Sequence, residues 1–590
     1  MPLTIEVACY VELGDIFPGE QCSLDALRGC LEQLPLNLVL VMCTRANQVL
    51  TAPGPLTRLE RQQRLANTLL TPEAGARLNN AARTRDVNDP EKTAFLTRKG
   101  LLELVRWALL LCDPSTPPLG GEWTQTEKDH FTRAALICSW ASETKIHRVL
   151  NENTDIEALK DIALVFFRTA LDAGLSGVDP WRVIGRGRRL FLEYLPKHYP
   201  DLDIDFRAAV GVLPLEYMSA AGALIGMHLQ LGNTMVMSDA VTLGQDTEYA
   251  AVYAAYQAHQ ISSAESLRAE LWRSAQVPSC FDQAPGFSLK PLRTKPVIAM
   301  DDGRGAIPDP LLLADSYMVG PLFQLLSVRN ENEVFGAFGD AFEEYALDIL
   351  SEMFPDGAGL HQVLHRKVCC PDVEGEVFEV DACLDYIDRL VLVEAKAVFI
   401  SDKCVVECDE QEFQRVLKEK YLYGERPVGV GQLARAIRAL SSGAWKGPDT
   451  GVSPRLVYPV LVVHDRLLQE PLVNEFLAEL LVTELGAESV PGSWQWKTHG
   501  LRFAPLTIVT IDDLEDLGSS AGIDLLELLE AFSAAVPNRR GSLHDFVTSS
   551  DRFKGELRIN QSLAKSATSF LRDCARRVFG GNPSQEGEAG

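Results

Sequence analysis

Phe378 to Ala397 reads FEVDACLDYIDRLVLVEAKA. Two apolar runs flank the polar centre DYIDR, the pattern of a β-hairpin. In the second run Leu392, Glu394 and Lys396 alternate with Val391, Val393 and Ala395. On a strand, an acid and a base therefore share one face while the other face is wholly apolar. With the turn centred on Ile387 and Asp388, antiparallel pairing sets Asp385 opposite Leu390, Cys383 opposite Leu392 and Asp381 opposite Glu394. Opposed Cβ atoms lie roughly 5 Å apart, and two carboxylates at that separation repel unless a positive charge sits between them. A divalent cation meets that need, and hard oxygen ligands favour Mg2+ or Mn2+. Lys396, on the same face, is placed to orient or help deprotonate a water. A solvated hairpin face is the plain alternative; the uninterrupted run LVLV leading into the charged pair argues against it.

The flanks extend the pattern. Upstream, FGAFGDAFEEYALDIL (335–350) reads as a helix whose core positions Phe342, Ala346 and Ile349 leave Glu343 at the edge of the buried stripe. Downstream, KEKYLYGERPVGVGQLARAIRAL (418–440) carries Lys418, Lys420, Arg426, Arg435 and Arg438 against only Glu419 and Glu425. A basic surface thus lies beside the acidic pair, although a face made basic for solubility reads the same way. Strands near 360–370, 376–386, 390–399, 456–465 and 506–512 alternate with helices near 333–354, 410–423 and 430–441, an α/β texture.

Asp381 followed by a strand-ending Glu394-Ala395-Lys396 resembles the D…(D/E)xK core of the PD-(D/E)XK, or restriction-endonuclease-like, nucleases. The resemblance covers about 331–515. It implies a mixed-sheet α/β domain that hydrolyses phosphodiesters through a metal-activated water. Asp381, Glu394 and Lys396 would be catalytic, with Glu343 as the glutamate of the first core helix facing the metal and Gln432 completing the site. Asp381, Glu394 and Glu343 would hold Mg2+ or Mn2+, and Lys418, Lys420, Arg435 and Arg438 would contact nucleic acid. Val380 stands where some members have proline. Some members have lost activity, so a silent binding subunit of a larger complex and a ribonuclease stand as alternatives to a DNA nuclease.

With 590 residues, the chain exceeds one core, since domains run to roughly 150 residues. Residues 20–325 show almost continuous helical periodicity. The division expected is a helical targeting or partner-docking region at 1–310 that ends in a proline-rich stretch from Pro278 to Pro310, a linker at 311–330, the nuclease-like domain at 331–515 and a helical extension at 516–590. No apolar run approaches the roughly 20 residues of a membrane span, and the first residues lack a secretory signal, so the cytoplasm is the expected location. The 13 cysteines are mostly single and set in apolar stretches such as those of Cys43, Cys112, Cys138 and Cys383, as free thiols in a reducing compartment would be. Cys369-Cys370 and Cys404 with Cys408 fit no standard zinc spacing.

A net charge of −25 opposes polynucleotide binding, which rests on Lys and Arg neutralising phosphates. Any nucleic acid must be held by a local basic surface, by cations, or with help from a protein partner or second copy. Gly185-Arg186-Gly187-Arg188-Arg189 lacks the preceding strand and following GKS or GKT of a phosphate loop and reads as a basic helix junction. DNA is favoured over RNA because it is the usual substrate of the family, and a helical half joined to such a domain resembles anti-phage defence proteins in architecture.

Overall fold

The computed structural model describes residues 9–579 apart from 52–57, 86–92, 113–122, 153–179, 232–246, 273–280, 282–289, 301–304, 356–361, 401–409, 424–425, 449–453, 465–467, 469–470, 521, 536–541 and 559. The N-terminal half is helical. Helices α1 (Leu24–Leu31), α2 (Leu36–Thr51), α3 (Arg98–Leu111) and α4 (Gln125–Glu152) form its first bundle. The start of α2, LNLVLVMC, is apolar on nearly every side, and a helix of that kind must be enclosed. Val39, Leu40, Met42 and Cys43 accordingly share one core with Leu101, Val105, Phe131 and Cys138. No single described helix is long and apolar enough to cross a membrane; α1 and α2 pass only as a pair bent by 107°. The described cysteines are free thiols, and those at 43, 112, 138 and 383 are buried; Cys404 and Cys408 lie outside the described residues.

Helices α5 (Pro180–Arg189), α6 (Pro214–Leu231) and α7 (Pro310–Leu325) follow. The linker expected at 311–330 is not one: it forms most of the buried helix α7. Val297–Ala299 pairs with Ile261–Ser263 and with Gly305–Ala306, and α7 is buried along nearly its whole length. The prolines mislead because Pro310 occupies the first turn of α7, where its missing N–H costs nothing. Asp309 caps that turn, accepting from Leu311 N at 2.7 Å and Leu312 N at 3.1 Å.

Next comes α8 (Glu331–Met353), capped by Asn330, which accepts from Glu333 N at 3.0 Å. Strands β1 (Val363–Pro371), β2 (Val377–Asp385) and β3 (Arg389–Lys396) form an antiparallel meander. The chain crosses through α9 (Glu410–Tyr421) and α10 (Val430–Ser442) to β4 (Leu456–Val463), which pairs in parallel with β3 along its whole length. After α11 (Pro471–Leu485), strands β5 (Trp496–Thr498), β6 (Leu501–Phe503) and β7 (Thr507–Thr510) extend the sheet, β6 and β7 pairing in turn with the far side of β4. The result is a mixed sheet with β1 at one edge. Helices α12 (Ile511–Gly518), α13 (Leu525–Ala534), α14 (Leu543–Ser549) and α15 (Gln561–Phe579) complete the chain.

Alternation along β3 sorts its side chains between two cores. Leu390 and Leu392 pack with Leu417, Leu433, Ile437 and Leu477 of α9, α10 and α11. Val391, Val393 and Ala395 pack with Phe338, Phe342 and Ala346 of α8, in a core that also takes Ile184 of α5, Leu322 of α7 and Leu528 of α13. Helices α5, α6 and α7 thus cover one face of the sheet together with the C-terminal helices.

A buried ion cluster ties them. Arg182 and Arg186 of α5 meet Glu515 of α12 at 2.6 Å each, and Arg182 meets Asp516 at 2.8 Å. Tyr345 of α8 donates to Glu515 at 2.7 Å. The glycines of GRGRR serve close packing: a Cβ on Gly185 would lie 2.6 Å from Leu563 O, and one on Gly187 3.0 Å from Met318 Cα.

Candidate active site

The hairpin turn fixes the site. Ile387 adopts φ +73°, Asp385 Oδ1 accepts from Ile387 N at 2.7 Å, and Tyr386 N donates to Arg389 O at 2.9 Å. From that turn Asp385 pairs with Leu390 and Cys383 with Leu392, the expected register, through to Ala382 and Val393. The ladder stops there, short of the expected pairing of Asp381 with Glu394. In place of a further backbone pair, Asp381 Oδ2 accepts from Ala395 N at 2.7 Å.

The β1 side is interrupted at the same point. Arg366 pairs with Ala382 and Val368 with Val380, but the intervening Lys367 and Asp381 do not pair, and Lys367 has φ +50°. Asp381 therefore sits where the sheet opens on both sides, which frees its carboxylate from an ordinary strand position.

Asp381, Glu394 and Lys396 come together as expected. Lys396 Nζ stands 3.3 Å from Glu394 Oε2 and 3.9 Å from Asp381 Oδ2. Glu394 is 0% exposed and Asp381 4%. Neither oxygen of Glu394 accepts a hydrogen bond of good geometry, an expensive state for a buried carboxylate. Burial, then repulsion from Asp381, pushes the Glu394 carboxyl well above the usual range. Burial likewise pushes Asp381 up, against the pull of Lys396. Burial pulls the Lys396 ammonium down, but Glu394 and Asp381 outweigh it and hold the amine charged. A lysine in that state donates hydrogen bonds and positive charge; it does not take a proton from water.

Glu343 reaches the same opening from α8. Its Oε1 is 3.1 Å from Lys367 Nζ, and its charge acts on Asp381 and Lys396. Glu344, its neighbour, faces elsewhere and binds Lys197 Nζ at 2.6 Å and His198 Nε2 at 2.7 Å. Gln432 caps α10, its Oε1 accepting from Gly429 N at 3.0 Å. That start of α10 nevertheless lies against the site: a Cβ on Gly429, which has φ +51°, would stand 3.5 Å from Lys396 Cγ.

Of the four basic residues expected to contact nucleic acid, Lys418 and Lys420 are exposed on α9. Arg435 is taken up by Asp372 at 3.0 Å and lies over the Phe378 ring at 4.6 Å. Arg438 holds Glu484, donating to its backbone oxygen at 2.7 Å.

Two contributors have no sequence signal. Lys367 depends on a left-handed backbone that lysine does not announce. His464, just after β4, donates its backbone N to Lys396 O at 3.3 Å, and its ring packs edge-on against Phe338, Phe342 and Phe399 at 5.3–5.6 Å. Burial pushes the imidazole down to about 4, so it stays neutral and joins α8 to the strand ends as a packing element.

Among the described residues no three His, Cys, Asp or Glu side chains already converge on one point as a metal cage. The donor chemistry nonetheless suits a hard cation: the oxygens of Glu394 are buried without a hydrogen bond of good geometry, Glu343 brings a carboxylate whose Oε1 is held by Lys367, and Asp381 keeps one oxygen beyond its bond to Ala395 N. Compared with known protein families, curated proteins and solved structures, the chain matches none.

Proposed function

We propose that the chain is a metal-dependent phosphodiesterase of the PD-(D/E)XK kind, acting on DNA. The observation that carries this reading is Glu394, a fully buried carboxylate without a well-formed hydrogen bond, ending a core strand beside Asp381 and Lys396. The ion pair with Lys396 offsets only part of the desolvation cost of such a group, a cost an apolar residue there would avoid. Asp381, Glu394 and Glu343 would hold a divalent cation, which supplies charge neutralisation at the phosphate and a more acidic attacking water. Lys396, held charged, donates to that water or to the phosphate oxygen on which charge develops. Ala395 N fixes the Asp381 carboxylate, and the α10 start limits the path of the Lys396 stem. Lys418 and Lys420 supply exposed positive charge on α9.

One observation favours a second reading. The Lys396 ammonium already lies within ion-pair distance of both carboxylates, as it would in a silent subunit that binds nucleic acid without cutting it. Incubation of the purified chain with single-stranded DNA, duplex DNA and RNA, in magnesium and in chelator, separates the readings. Metal-dependent cutting of DNA is the expected result. Cutting of RNA alone moves the substrate, and binding without cutting supports the silent subunit. A role in anti-phage defence rests on the architectural analogy and is tested by phage challenge of cells expressing the chain and its Asp381→Asn variant.

A further inference from the structure

We propose that Lys367 is a substrate-contacting cation of this site, its ammonium passing from Glu343 to a non-bridging oxygen of the phosphate being cut. The inference rests on the nuclease reading. Lys367 stands across from Asp381, where the β1–β2 ladder skips one pair and just past the end of the β2–β3 ladder. Its φ of +50° lies in a region that side-chain sterics disfavour for lysine, and edge strands do not need it. Strained non-glycine residues persist where surrounding structure holds them, often at functional sites.

Charge accounting points the same way. Asp381, Glu394 and Glu343 face two ammonium groups, those of Lys396 and Lys367. When a divalent cation takes up the three acids, Glu343 ceases to be the partner of Lys367. A charge on a half-exposed side chain then remains at the open edge of the sheet, where a polymer backbone can approach. In the hydrolysis, the water oxygen bonds to phosphorus and the bond from phosphorus to the leaving oxygen breaks. The water proton leaves to solvent, and the leaving oxygen takes one from solvent. Lys367 moves no proton; it donates a hydrogen bond and offsets charge on the phosphate.

The test uses the full chain, a labelled duplex oligonucleotide and manganese. Lys367→Gly removes the amine and relieves the backbone, so its melting temperature should hold or rise while single-turnover cleavage falls about a hundredfold. Lys367→Arg should keep most of the rate. On a duplex that cannot be cut because its leaving oxygens are replaced by methylene, and with manganese bound, Lys367→Gly should reduce the slope of log affinity against log salt by about one contact's worth. Wild-type cleavage by Lys367→Gly, or an unchanged slope, would overturn the inference while leaving the nuclease reading intact. If the wild-type chain cuts no nucleic acid, the nuclease reading falls and this inference with it.

Discussion

Asp381 holds Ala395 N and at the same time repels Glu394. Asparagine keeps the acceptor and removes the charge. Asp381→Asn should therefore abolish metal-dependent cutting while its melting temperature, followed by calorimetry without metal, holds or rises; a clear fall would mean that the Asp381 charge is structural. Asp381→Ala differs because it also leaves Ala395 N buried and unpaired, at about 1–3 kcal/mol. Asp381, Glu394 and Lys396 were readable from sequence because strand alternation and a short turn fix which residues meet. Lys367 was not, since its contribution depends on a backbone angle. Gln432 was expected in the site from the family resemblance, whereas its amide meets the capping need of α10.

Helices α9 and α10 divide the basic stretch by what surrounds each residue. Lys418 and Lys420 form no ion pair among the described residues, whereas Arg435 and Arg438 anchor α10 to the β1–β2 turn and to α11. Replacing Lys418 and Lys420 together by Glu should weaken DNA binding and lower the salt slope by about two phosphate contacts, with the thermal melt unchanged. Arg435→Glu should instead lower the melting temperature, because it sets a third acid against Asp372 and Glu376. Parallel salt titrations and melts check both; a large slope change in Arg435→Glu without destabilisation would reverse the assignment. The order of strands and helices from 331 to 463 was legible from periodicity, but α11 (Pro471–Leu485) was not read. The strands Trp496–Thr498 and Leu501–Phe503 were missed because three residues are too few to show alternation.

The whole molecule is joined by contacts that no local pattern announces. Arg186 and Glu515 are 329 residues apart in sequence, so the GRGRR stretch gave no sign of its partner. Burial pushes the Glu515 carboxyl up, but Arg186 and Arg182 outweigh it and hold it below the ordinary glutamate value. A carboxyl depressed in the folded state stabilises above its unfolded pKa of about 4.3, and that stability is lost as pH falls through the folded value. Asp516, which burial pushes up, contributes with the opposite sign. Glu515→Gln leaves two buried guanidinium groups undercompensated and should cost about 3–5 kcal/mol at pH 7. Urea titrations should show the gap between variant and wild type narrowing below pH 4; a gap that widens in acid would refute the linkage. A fragment ending at residue 310 keeps the core of α1 to α4, but Ile184, Phe191 and Tyr217 belong to the core that the sheet completes, so its melt should resolve into a folded bundle and an unfolded remainder rather than a single transition. A sharp two-state melt of that fragment would restore an independent N-terminal half.

The account turns on whether Asp381 and Glu394 hold a divalent cation. Calorimetric titration of manganese into the wild-type chain, Glu394→Gln and Lys396→Ala tests it most directly. Wild type should bind, Glu394→Gln should not, and Lys396→Ala should bind at least as well as wild type, since its ammonium competes with the metal for the same two carboxylates. No binding to wild type, or equal binding to all three, would contradict the account.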